Sequence, residues 1–237
     1  MKAPHSVLQS NFAERLWDSV CAMELPVLEL DELVPFPGIT VNIGITGPAG
    51  SEMLARALGR SDLRFVAVLT GGRLTSRLPA YGTEMEILGV ETDLAGSSTV
   101  TAYGRERHRL GSVRSETVTR PDGNRLRLQL AERNPAPLPC PDPNTEQLAA
   151  WDAANTFRRY CRRLYSPARR IELSRSLPDS PFLLSAYMSA NANLKPSQKF
   201  RLLAARTLAE RLRLLQQMLL RELRKSGLPA EGSGLAS

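Results

Sequence analysis

The chain has 237 residues, with 31 Lys+Arg against 24 Asp+Glu for a net charge of +7, 42% hydrophobic residues, three cysteines and two histidines. That length supports a sizeable core in one large domain or two small ones, while no stretch approaches the roughly 20 apolar residues of a membrane span and the N-terminus has no signal core, so a soluble, cytoplasmic protein is expected. Cys21, Cys140 and Cys161 are odd in number and far apart, which suits reduced thiols, and with only His5 and His108 beside them no metal-ligand spacing exists.

Residues 1–23 are set apart as an N-terminal extension. From residue 25 to 133 the signals are those of strands and turns: VLEL, ITVNIGI, RFVAVLT, EMEILGVETD, STVTAYGRERHRLGSV and RLRLQL. In the second of these, Ile39, Val41, Ile43 and Ile45 alternate with Thr40, Asn42, Gly44 and Thr46, a period of two with one wet face. The glycines that follow, Gly44, Gly47 and Gly50, lead into a short helix. They do not form a nucleotide loop: Gly50 is followed by Ser51 and Glu52 where a Walker loop needs Lys and a hydroxyl, and no G-x-G occurs. The pattern predicts a turn closed by a helix, with Ser51 as N-cap and Gly59 just past its end. PDGN at 121–124 predicts a hairpin turn before the last strand, where Leu126, Leu128 and Leu130 alternate with Arg125, Arg127 and Gln129. Six or so mostly antiparallel strands with one short helix predict a small barrel or curled sheet over 24–134.

Residues 134–144 hold five prolines in eleven positions and predict a linker, placed at 135–143. After it the period changes to 3.6, and residues 144–225 predict a helical bundle. Asn144 and Gln147 have capping-box spacing, and Leu148, Trp151, Ala154, Phe157, Cys161 and Leu164 form an apolar stripe ending before Pro167. A further helix starts at Pro181 with Ser180 as cap, and a long one runs from about Pro196 to Arg224. In the latter Leu208, Leu212, Leu215, Leu219 and Leu223 make the core stripe, opposite Arg206, Glu210, Arg213, Gln217, Arg221 and Arg224. Residues 226–237 read as a disordered tail.

Charge divides the same way. Residues 1–150 carry 15 Lys+Arg against 18 Asp+Glu, and residues 151–225 carry 16 against 5. The arginines that lie off the apolar stripes, Arg158, Arg159, Arg162 and Arg163, with Arg169 and Arg170, are the candidate partner-binding residues. No catalytic, cofactor-binding or metal-binding residues are picked out. His108, flanked by Arg107 and Arg109 in an alternating strand, is read as structural or surface rather than as a general base.

Three stretches together carry a family resemblance. LPVLELDELVPFPGITV at 25–41 resembles the opening of the N-terminal, substrate-binding domain of the ATP-dependent Lon proteases, with Pro26, Leu28, Leu30, Phe36, Pro37 and Gly38 in matching places. VTAYGRERHRL at 100–110 is similar to a later strand of the family through Gly104, Arg107 and Leu110, and residues 193–223 to its last long helix through Arg211, Leu212, Leu215 and Leu219. The chain departs at Asn42, where the family pattern has proline, and at Gly44, where it is more apolar. The resemblance implies an α+β fold, a PUA-like barrel followed by a helical bundle. It also implies a stand-alone, non-enzymatic member lacking the ATPase and peptidase domains, with unfolded or client proteins, and a full-length protease, as partners. Its role would be that of adaptor, regulator or holdase in proteolysis. The alternative is an RNA-binding PUA-like module using the basic helical half, with Tyr160 and Tyr165 as the aromatics nearest those arginines.

Overall fold

The computed structural model describes residues 24–70, 79–94, 97–120 and 123–225. The N-terminal extension, the tail, His5, Cys21 and the first half of the PDGN turn lie outside the described residues. Seven strands come first, with one helix among them: β1 (Glu24–Leu30), β2 (Thr40–Ile45), α1 (Gly47–Leu58), β3 (Arg64–Leu69), β4 (Tyr81–Thr92), β5 (Ser98–Arg109), β6 (Val113–Thr119) and β7 (Arg125–Glu132). Five helices follow: α2 (Pro143–Leu164), α3 (Pro167–Arg175), α4 (Pro181–Asn191), α5 (Pro196–Leu203) and α6 (Leu208–Lys225). This is a mixed α+β fold.

The strands form one sheet in the order β2-β5-β4-β3-β1-β7-β6, antiparallel except for the parallel pair β1–β3. That pair sits centrally with apolar residues on both faces: Leu28 joins the core under α1, while Leu25, Val27, Val66 and Val68 pack on the other side. Burial on two faces explains why RFVAVL reads as a continuous apolar run. The predicted closure into a barrel is not what these ladders give, because β2 and β6 are the two ends of the order and do not pair. α1 supplies the shielding instead, burying Met53, Leu54 and Ala57 against the sheet. β6 is a strand that the sequence pattern did not separate from its neighbour, since VRSETVT alternates without large apolar residues.

Five of the six helices described start on a proline at their first turn: Pro48, Pro143, Pro167, Pro181 and Pro196. Proline suits that place because its fixed φ matches a helix and its missing N–H would have had no intrahelical partner. The rule corrects two predicted starts. α1 begins at Gly47, with Thr46 as N-cap, so Ser51 lies inside the helix and its hydroxyl donates back to Gly47 O at 3.1 Å. α2 is capped by Asp142, whose carboxylate accepts from the Asn144 and Thr145 N–H groups. α3 was not anticipated. Only Leu173 of its nine residues is buried, so it has almost no apolar period to read.

The long C-terminal helix expected from Pro196 is two helices, interrupted at residues 204–207. Thr207 Oγ1 accepts from the Glu210 N–H, and Glu210 in turn accepts from the Arg206 N–H, a fresh N-cap that starts α6. The T-x-x-E signal for it stands in the sequence. The leucine stripe held: Leu208, Leu212, Leu215, Leu219 and Leu223 are all buried. At about 1.5–3 kcal/mol per buried leucine, they anchor α6 against α2.

Candidate functional site

Two places draw polar and apolar chemistry together, and they differ in access. The first is the seam between sheet and helices. Phe36, fully buried, ends the segment after β1 and is followed by a turn in which Gly38 takes φ +86° and donates its N–H to Gly104 O at 2.8 Å. Gly104 donates to Ile39 O at 3.0 Å, and a Cβ there would lie 2.3 Å from Phe36 O. Only glycine lets these backbones approach so closely.

From the same strand Arg107 crosses into the helical layer. Its guanidinium donates to Ala136 O at 2.7 Å, to Leu203 O at 3.3 Å, and to Ala205 O and Pro137 O, and it lies 4.8 Å over the Tyr81 ring. The carbonyls at the end of α5 carry the negative end of that helix dipole, which a cation complements. Arg211 of α6 enters from the other side, wholly buried, donating Nε–H to Leu202 O at 3.0 Å and standing 5.7 Å over the Phe36 ring. Burial, with the Arg107 charge adding to it, pushes Arg211 down to about 9, and both its terminal nitrogens lack a protein partner. These arginines occupy carbonyls where α5 stops. The Pro-rich segment is tied into the same seam: Ala136 N–H bonds Arg107 O, and Leu208 N–H bonds Pro139 O.

A second buried polar group lies within the sheet. Glu84 is inaccessible and bridges Arg64 at 2.7 Å and Arg133 at 3.1 Å. His108, also inaccessible, uses Nε2 with Glu132 O at 3.0 Å, and burial lowers its pKa. It is a structural histidine. Both side chains are closed off from solvent.

The open cleft of 710 Å³ lies elsewhere, beside α1, lined by Glu24, Glu52, Arg56, Arg60, Asp62 and Leu130. Its charges are of both signs and largely paired. Arg60 holds Asp62 at 2.9 Å and Glu24 meets Arg114 at 2.7 Å, and each carboxyl lies below its usual range: for Glu24 the Arg114 hydrogen bond is the largest cause, and for Asp62 hydrogen bonding and attraction to Arg60 outweigh the opposing effect of burial. Among the described residues no group of three or more His, Cys, Asp and Glu side chains could hold a metal ion.

The exposed face of α2 is the accessible place. The predicted apolar stripe of this helix is partly wrong. Ala154, Phe157 and Cys161 face the core, but Leu148, Trp151 and Leu164 do not, and the buried positions include Ala149, Ala150, Ala153 and Tyr160. Leu148 is 64% exposed and Trp151 62%. At three- and four-residue steps they continue through Asn155 to Arg158, Arg159 and Arg162, so one outward face is apolar in its first half and basic in its second. Arg158 donates to Asn155 Oδ1 at 3.1 Å. Arg163 is exposed one step round the helix. Arg169 and Arg170 sit apart on α3. Arg169 is engaged by Glu172 at 2.7 Å and by Asn191 Oδ1, and Arg170 is half-buried. Trp151 and Leu148 were missed as surface residues because they fall on a plausible core period.

Tyr160 and Tyr165 are not stacking platforms. Tyr160 is inaccessible and its hydroxyl accepts from Asn193 N–H, while Tyr165 donates to Asn191 O at 2.6 Å. The arginine face therefore has no aromatic of its own for a base to stack on except Trp151, which stands at its apolar end.

A family model described as the ATP-dependent protease La (LON) substrate-binding domain matches residues 24–221. Among solved structures, the N-terminal domain of Mycobacterium avium complex Lon protease is similar with a TM-score of 0.67 and 20% identity, over 83% of this chain and 98% of that one. The Lon N-terminal domain protein from Xanthomonas campestris follows at a TM-score of 0.49 and 21% identity, over 83% and 97%. No curated protein matches this chain. No helix among the described residues is long and apolar enough to cross a membrane.

Proposed function

This chain belongs to the family of Lon substrate-binding domains, and on that premise we propose that it recognises protein substrates or partner proteins without performing chemistry on them, as an adaptor, regulator or holdase linked to proteolysis. The contact surface of this reading is the outer face of α2. The observation that carries it is the pairing of exposed Leu148 and Trp151 with Arg158, Arg159 and Arg162 along one helix face.

A large aromatic on a surface is costly to leave in water and is the residue type that most often dominates a protein interface. Arginines beside it add salt-sensitive attraction for acidic segments. The fit is to an unfolded segment with an apolar side chain next to carboxylates. Arg163, and Arg169 and Arg170 on α3, extend the positive field around that face.

The test uses casein, an acidic chain that is unfolded under native conditions, titrated against the full protein at about 0.3 M salt, where the screening length is under about 8 Å. Binding that persists there and weakens about tenfold or more in Trp151→Ala is expected, a loss of about 1.4 kcal/mol. Binding unchanged in both Trp151→Ala and Leu148→Ala would remove α2 from the reading. ATP hydrolysis or casein cleavage lost on mutating a residue of this chain would overturn its non-catalytic part.

A further inference from the structure

The two ends of the sheet are protected unequally. β6 carries charge: Arg114 meets Glu24 at 2.7 Å and Glu116 at 3.7 Å, and Arg56 meets Glu116 at 3.5 Å. Charged side chains on an end strand discourage another strand from adding to it. β2 has no such guard. Thr40–Ile45 contains no charged residue and no proline, and its neighbours across the wet face, Thr99, Thr101 and Tyr103 on β5, are uncharged too.

The outward groups of β2 follow from the ladder. Gly104 N–H bonds Ile39 O, which makes 39 and 104 a hydrogen-bonded pair. Alternation along the register Val41↔Ala102 and Ile43↔Val100 then turns the backbone of Val41, Ile43 and Ile45 toward β5. The N–H and C=O groups of Thr40, Asn42 and Gly44 point away from the sheet. Among the described residues no hydrogen bond reaches them.

This strand is also its own complement. Read in either direction from Asn42, the next positions are apolar (Val41, Ile43), small and uncharged (Thr40, Gly44), then apolar again (Ile39, Ile45). We propose that β2 is a self-association edge, on which a second copy of this chain pairs its own β2 antiparallel about a two-fold axis through Asn42. Asn42 then faces the partner's Asn42, and Thr40 faces the partner's Gly44. Three opposed pairs exchange two bonds each, about six hydrogen bonds in all. The apolar residues of both strands continue on the core side and the uncharged polar ones on the wet side. A two-fold contact of this kind closes on itself and stops at a dimer.

The test is sedimentation of the full chain, with two variants that spare the monomer. Asn42→Pro removes an outward N–H and no backbone bond of the β2–β5 ladder, losing there only the exposed bond that Asn42 Oδ1 accepts from the Thr101 hydroxyl at 2.9 Å, and proline is tolerated on an end strand in that orientation. Gly44→Lys places its Cβ where no atom lies within 4 Å and sets a charge on the edge. A dimer fraction rising between about 10 μM and 1 mM is expected for the wild type. Both variants should be monomeric over that range with unchanged circular dichroism, Gly44→Lys with an unchanged melting temperature and Asn42→Pro with one only slightly lowered by the lost Thr101 bond. In a background lacking Cys21 and Cys140, Asn42→Cys should cross-link to a covalent dimer under mild oxidant faster than Thr40→Cys or Gly44→Cys, because only residue 42 meets its own copy. A wild type monomeric to about 1 mM, or a dimer that survives both variants, overturns the proposal. So does cross-linking that is equal at all three positions.

Discussion

The seam between sheet and helices and the outer face of α2 are both rich in arginine, yet they are built in opposite ways. In the seam, Arg107 is 6% exposed and holds four backbone carbonyls, and Arg211 is sealed beneath Phe36. On α2, Arg158, Arg159, Arg162 and Arg163 face solvent beside an uncovered tryptophan. Five of the residues that carry the resemblance to the Lon family, Phe36, Gly38, Gly104, Arg107 and Arg211, meet in the seam. Gly38 and Gly104 hold backbone geometry that a Cβ would disturb, and Arg107 holds carbonyls that no apolar side chain could serve. They join sheet to helices, whereas the arginines of α2 face solvent.

The sharpest way to break this comparison is at Gly104. Gly104→Val should abolish cooperative folding or cost more than about 4 kcal/mol in denaturant melts, since its Cβ would meet Phe36 O at 2.3 Å and Pro37 Cα at 3.2 Å, both backbone atoms. A stable variant would show that the close approach is incidental.

Arg107→Met is the next largest. It leaves the buried carbonyls of residues 203 and 205, and the part-buried ones of 136 and 137, without their donor, at a cost of about 3 kcal/mol, and should make the Pro-rich segment the first site of limited proteolysis. If 24–134 and 144–225 are separate folding units, both fragments should stay folded after that cut. Equal protease resistance in variant and wild type would refute the tethering role.

Arg211→Met should cost much less, about 1 kcal/mol or under. It loses one hydrogen bond and the stacking on Phe36, but also removes a buried cation whose terminal nitrogens lack a partner and which Arg107 repels. A loss as large as that of Arg107→Met would mean that the seam treats its two arginines alike.

On α2 the expectation reverses. Trp151→Ala should move the unfolding midpoint by no more than about 0.5 kcal/mol while weakening casein binding. Replacing Arg158, Arg159, Arg162 and Arg163 together by Gln should have the smallest effect of all on stability. At about 0.3 M salt it should change casein binding only a few-fold, and it should abolish whatever salt-sensitive RNA binding the chain has. Tight RNA binding through those arginines, with no casein binding, would reverse the functional reading.

What the sequence determined by itself were the patterns in which one element reports its own environment. β2 and β7 alternate because each has one wet face, the five leucines of α6 repeat because a single buried stripe must meet α2, and the family resemblance was legible in the seam residues. The tertiary structure decided what depends on neighbours. α2 presents Ala149, Ala150, Ala153 and Ala154 to the core, where small side chains let helices come close, so its large apolar residues Leu148 and Trp151 are turned outward against the sequence period. The break before Leu208 depends on buried arginines arriving from β5 and from α6 itself to take the last carbonyls of α5, and the open sheet depends on which strands find partners. A period records that a face is buried. It does not record what buries it, and Leu148 and Trp151 are exposed on α2 where alanines hold the core positions beside them.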